Sequence, residues 1–140
     1  MAEEITLTLR NNTGEIGRLL DFFEALAEDR GIPATVAGRV ALALDETAGN
    51  VIAYAWSDDR PHDFTVVFRL DPGGLTVEII DDGIAYDPLT APPANVEAAL
   101  EDREIGGLGV HLTRSVMDGL AYRRVDGFNH LLMTKTFSDG

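Results

Sequence analysis

The stretch HDFTVVFRLDPGGLTVEIID, residues 62 to 81, constrains the fold of this chain more than any other. Two runs rich in β-branched and aromatic residues flank the turn signal DPGG, the pattern of a β-hairpin. A hairpin this long needs further strands or a helical layer against it, because two strands alone are marginal in water.

The flanking segments supply both. EITLTLR, residues 4 to 10, alternates apolar and polar side chains and reads as a strand. Asn12 or Thr13 then caps a helix with Ile16, Leu19, Leu20, Phe23 and Leu26 at helical spacing, ending near Gly31. Pro33 suits the first turn of a second helix that runs to about Trp56. Its main apolar row is Val40, Leu44, Val51 and Tyr54, and the neighbouring row is Arg39, Ala43, Glu46, Asn50 and Ala53. Gly49 inside that helix costs about 1 kcal/mol relative to alanine, which is expected where something comes close. After the hairpin, residues 82 to 109 are rich in proline, glycine and small residues and form an expected lid, with a short helix around Val96 to Leu100. LGVHLTRSVMD is helical, and LAYRRV, DGFN and HLLMTKTF make a closing hairpin. The order β-α-α-β-β-lid-α-β-β implies an α/β (α+β) two-layer sandwich. Its sheet is mixed but largely antiparallel, with helices on one face, in a single domain spanning residues 1–140.

Composition removes several function classes. A net charge of −13 repels a phosphate backbone, so no direct nucleic-acid binding is expected. The same charge suits a basic protein partner or serves solubility. No apolar run approaches the roughly 20 residues of a membrane span, and no signal-peptide pattern opens the chain. With no cysteine there is no disulfide or thiolate metal site, and a cytoplasmic location is expected.

Three polar clusters interrupt the core pattern. Glu46 and Asn50 lie one turn apart on a largely apolar helix, pointing the same way. A Glu beside an Asn suits one base and one neutral oxygen ligand for a hard cation such as Mg²⁺; a solvated helix flank is the commoner use of such a pair. In IIDDGIAYDP, residues 79 to 88, Asp81 ends an apolar strand, and Gly83 lets backbone or ligand approach. A carboxylate there accepts from an exocyclic amine such as that of adenine, or simply ends the strand in an Asp-Gly turn. GGLGVHL, residues 106 to 112, is glycine-rich sequence opening a helix, either an anion cradle or a lid hinge. It is neither a Walker A loop nor a dinucleotide fingerprint, and the Asp81 region lacks EF-hand spacing. His62, His111 and His130 show no metal spacing, Ser57, Ser115 and Ser138 no nucleophile elbow, and Arg123 with Arg124 reads as a solvated pair.

Taken in order, ALDETAGN, DDGIAYDP and GGLGVHLTRSVMD resemble the N, G1 and G2 boxes of the GHKL ATPase superfamily, and within it the small anti-sigma-factor serine kinases. The likeness spans nearly the whole chain, including the closing YRRVDGFNHLLMTK. It implies a Bergerat-type fold that binds ATP and Mg²⁺. By position, Glu46 matches the general base and Asn50 the Mg²⁺ ligand that bridges metal to phosphates. Asp81 matches the adenine-reading carboxylate and Gly83 its accommodating glycine. Gly107 and Gly109 match the turn whose amides hold phosphate, with Leu108 and Leu112 packing behind, and Arg103 is assigned to phosphate charge in a closed lid. Where relatives carry Thr-Asn and then His four residues on, this chain has Gly49-Asn50 and Tyr54.

The resemblance implies a serine/threonine kinase that binds a sigma factor and phosphorylates a STAS-domain antagonist on serine. The alternative is a catalytically weak nucleotide-binding module that sequesters a partner. A detached sensor-kinase ATPase domain fits less well, because no dimerisation helix precedes the region. A homodimer is expected, with EITLTLR as an edge strand available for pairing.

Overall fold

Glycines and prolines set the turns around which the sheet is built. The computed structural model describes residues 3–58, 60–85 and 116–137. In chain order its elements are β1 (Glu3–Arg10), α1 (Gly14–Arg30), α2 (Ala34–Tyr54), β2 (Asp63–Asp71), β3 (Gly74–Asp81), β4 (Gly119–Val125) and β5 (Phe128–Thr136). Pro72 and Gly73, the latter at φ 93°, turn β2 into β3, a proline followed by a positive-φ glycine. Asp126 at φ 52° and Gly127 at φ 85° turn β4 into β5, the two left-handed residues of a type I′ hairpin. That two-residue turn places Phe128 and Asn129 in the strand, although DGFN as a sequence reads as the turn.

The strands form one sheet in the order β1-β2-β3-β5-β4. Each of these pairings is antiparallel, so among the described residues the sheet lacks the parallel pair that "mixed" anticipated. The first hairpin therefore sits at the centre, and β1 is an edge, as expected.

Alternation along the strands selects the face that the helices cover. Phe64, Val66, Phe68 and Leu70 of β2 and Leu75, Val77 and Ile79 of β3 join Leu19, Phe23 and Leu26 of α1 and Val40, Ala43, Leu44 and Ala48 of α2 in one core. Phe23 stacks on Phe68 with ring centroids 5.7 Å apart. This is the two-layer α/β arrangement that the element order implied.

The helix ends differ in detail from the sequence reading. Gly31 closes α1 in the left-handed conformation at φ 73°, and its N–H bonds back to the last turn. At the other end Thr13 is itself helical, at φ −65° and ψ −24°, so its hydroxyl makes no capping bond. Glu15 ties down this corner instead, its Oε1 accepting the Arg10 N–H at 2.8 Å. The α2 helix starts directly after Pro33 and ends two residues before Trp56.

Candidate active site

The α2 helix carries the first pair of candidate residues. Glu46 and Asn50 are half-buried, and neither makes a hydrogen bond or ion pair with the described residues. Between them, Thr47 is buried and returns its hydroxyl to the Ala43 carbonyl at 2.8 Å, satisfying itself within the helix. Two half-buried polar groups one turn apart, neither with a partner among the described residues, are where a ligand is accommodated at least cost. Among the described residues, a Cβ added at Gly49 would meet Ile16 Cδ1 of α1 at 4.0 Å, an ordinary packing contact.

The second pair lies at the C-terminal end of β3. Asp81 is 6% exposed and points to the same face as the core residues Leu75, Val77 and Ile79. Its Oδ1 accepts two hydrogen bonds, from the Gly83 N–H at 2.9 Å and from Asn129 Nδ2 at 2.9 Å. Its Oδ2 accepts none from the described residues. Since no buried side-chain oxygen there lacks a partner, Oδ2 is reached from outside. The carboxylate is thus aimed by neutral donors on one side and open on the other, ready to accept from a ligand N–H.

Gly83 is required here for space. A Cβ would stand 2.3 Å from the Ala55 carbonyl oxygen and 2.5 Å from the Ala55 Cβ. The backbone of residues 82–84 therefore lies directly against the end of α2, and the Ile84 N–H donates to the Ala55 carbonyl at 2.8 Å. This contact links the two pairs. At 1.5 Å rise per residue, Asn50 lies about 8 Å and Glu46 about 14 Å back along α2 from Ala55.

Three supporting residues escaped the sequence reading. Asn129 Nδ2, besides holding Asp81, donates to the Ile84 carbonyl at 2.8 Å. The Tyr122 hydroxyl in turn donates to Asn129 Oδ1. Arg124, expected in solvent, donates Nη1 to the Gly83 carbonyl at 2.8 Å, because the register places the Arg124–Asn129 pair beside Asp81. The one signal for Asn129 in the sequence is the Asp-Gly pair before it: a two-residue turn there puts Asn129 in the strand.

Arg103, Gly107, Leu108 and Gly109, with residues 86–109 of the expected lid and most of the helix after it, lie outside the described residues. Among the described residues no group of three or more His, Cys, Asp or Glu is placed to hold a metal ion. A single neutral oxygen such as that of Asn50 would suit a divalent ion that keeps most of its ligands from phosphate and water, the habit of Mg²⁺. No helix among the described residues is long and apolar enough to cross a membrane.

Comparison with known proteins points the same way. A family model described as a histidine kinase-like ATPase domain matches residues 9–135. The serine/threonine-protein kinase BtrW of Bordetella bronchiseptica is 34% identical over 95 residues, covering 68% of this chain and 67% of that protein. The serine-protein kinase RsbW of Listeria innocua is 26% identical over 145 residues, covering 99% of this chain and 90% of that protein.

Proposed function

The chain belongs to the histidine kinase-like ATPase domain family, and from that premise we propose that it is an ATP-dependent anti-sigma factor kinase. In this reading it binds a sigma factor and phosphorylates a STAS-type antagonist on serine. Its enzyme class is protein serine/threonine kinase, the class that the names of the Bordetella and Listeria relatives carry. The observation that carries the finer reading is the Glu46–Asn50 pair: half-buried, without partners among the described residues, on a helix whose end is bonded to the Asp81 corner.

The site orders itself along α2. At the base end, Asp81 Oδ2 accepts from the exocyclic amine of adenine, while Gly83 lets this corner pack directly against Ala55 at the end of α2. At the phosphate end, Asn50 offers one neutral oxygen to Mg²⁺, which when bound supplies neutralising charge to the phosphates. Glu46, a turn further back, accepts the proton of the attacking serine hydroxyl. Positioning and charge neutralisation do the rest, as in phosphoryl transfer generally. Arg103 and the Gly107–Leu108–Gly109 turn belong to the phosphate end in the same proposal. So do a single domain over residues 1–140, a homodimer using the β1 edge, and a cytoplasmic place of action.

The test separates base from binding. Glu46→Ala should lower phosphotransfer about 10²–10⁴-fold, the range for a positioned general base, while ATP affinity stays within a few-fold. Turnover near wild type in that variant would refute the assignment of Glu46. The Gly49 and Tyr54 departures favour one rival, a nucleotide-gated sequestrant. ATP-dependent partner capture by the wild type, with no phosphoserine after long incubation, would establish it.

A further inference from the structure

The backbone of Asp82–Ile84 is held from two sides. On the sheet side stand Arg124 and Asn129, described above. On the helix side, besides the Ala55 carbonyl, Trp56 donates Nε1–H to Asp82 Oδ1 at 3.0 Å. Trp56 is the chain's one tryptophan, half-buried just past the end of α2. Its indole is itself fixed by the imidazole of His62, with ring centroids 4.7 Å apart and planes 3° from parallel.

His62 is tied down in turn. Its backbone N–H donates to Asn11 Oδ1 at 2.9 Å, and its carbonyl accepts the Asn11 N–H at 2.9 Å. Its Nε2 lies 2.8 Å from Asp58 Oδ1. A continuous line of contacts therefore runs from the end of β1 through His62 and Trp56 to Asp82, the residue next to Asp81.

The position matters because of what Asp81 depends on. One of the two donors that aim its carboxylate is the Gly83 N–H, which rides on the backbone that Asp82 begins. A main-chain donor is only as well placed as the residues flanking it, and Asp82 itself is exposed. Without the indole bond its side chain would be left to solvent.

We infer that Trp56 is a positioning residue of this corner: its indole N–H anchors Asp82, and through it the Gly83 N–H that orients Asp81. The anchor acts on the base end of the site and not on the phosphate end, so it governs nucleotide affinity and leaves turnover alone. In that respect the inference rests on the proposed ATP site; the anchoring itself does not.

Trp56→Phe keeps a ring against His62 and removes only the donor, while Asp82→Ala removes the acceptor. Each should weaken binding of a non-hydrolysable ATP analogue about ten-fold, the size of a lost hydrogen bond to a charged group. The rate of phosphotransfer from saturating ATP should be unchanged. The double variant should be no weaker than either single one, because both break the same bond. Asp82→Asn, which retains an accepting oxygen, should restore affinity to near the wild-type value.

A ligand-free arm stands beside these. Amide hydrogen exchange at Gly83 and Ile84 should quicken in Trp56→Phe and in Asp82→Ala, while Val66 and Phe68 in the core keep their rates. Additive losses in the double variant, or unchanged exchange at Gly83 and Ile84, would overturn the anchor. Wild-type protein that binds no ATP would sink the function proposed above; the exchange measurement then decides the anchor by itself, in either direction.

Discussion

Glu78 and Asp81 stand three positions apart on β3, at 4% and 6% exposed, and the sheet treats them in opposite ways. Glu78 points to the face away from the helices, where both its oxygens are taken by cationic or potentially cationic groups. Arg69 Nη1 lies 2.9 Å from Oε1 and His130 Nδ1 lies 2.7 Å from Oε2. Asp81 faces the helix layer with two neutral donors on one oxygen and, among the described residues, no charged partner. A buried carboxylate costs free energy, and its surroundings tell how that cost is met. At Glu78 the protein meets it in full, and the group is part of the scaffold. At Asp81 the described residues aim the group through one oxygen and leave the other without a partner among them, the opening that the proposed ligand would use.

The sharpest way to break this contrast is Asp81→Asn. The amide keeps an oxygen for Gly83 and Asn129 but turns a donor outward where the carboxylate offered an acceptor. ATP affinity should fall about 100-fold, close to the 1–3 kcal/mol of a buried polar group left unmatched. Stability should equal or exceed wild type, since a buried carboxylate without a charged partner among the described residues has been removed. Calorimetric titration read beside urea unfolding decides it. A fall in stability with affinity intact would make Asp81 scaffold like Glu78.

Gly83→Ala should strike both properties at once. The new Cβ would overlap backbone atoms of Ala55, which cannot swing away as a side-chain tip would. About 1–3 kcal/mol of stability should go, the usual cost of overpacking, and nucleotide affinity should fall with it as the corner opens. Unfolding curves matching wild type would mean that α2 and the corner separate more easily than their contact implies.

These differences also mark what a linear sequence discloses. The central hairpin, both helices and the pairs Glu46–Asn50 and Asp81–Gly83 were legible because each is a local pattern, written within a few residues of itself. Asn129, Tyr122 and Arg124 were not, since their parts in the site come from the β3–β5 and β4–β5 registers, which join residues 48 positions apart at Asn129 and Asp81. One boundary compounded this. Taking Asp126–Asn129 as a four-residue turn removed Asn129 from the strand that points it at Asp81. Trp56 was legible as the approximate end of the second helix; it packs, partly buried, against the core. Its N–H had no visible use until the Asp82 backbone was seen beside it. Glu78 drew no notice at all, because one polar residue in an alternating strand normally faces water.

Glu78→Gln, the mildest change, tests the scaffold half of the comparison. Burial by itself pushes the Glu78 carboxyl up, but the hydrogen bonds from His130 and Arg69 outweigh it and hold the group below the usual carboxylate range. A group held low in the folded state adds stability that is fully present above the unfolded carboxylate pKa. That stability is lost as pH falls through the folded value. The variant should therefore be less stable than wild type at neutral pH, by about 1 kcal/mol, a modest figure because the Arg69 partner is partly in water. Arg69 also keeps Glu4, whose Oε2 lies 2.8 Å away. The gap should close as the solution is acidified past the ordinary carboxylate range, and ATP affinity should not move at any pH where the protein is folded. Urea midpoints taken from neutral pH into acid would trace it. A gap that stays constant into acid would show that Glu78 stabilises by packing and not by charge.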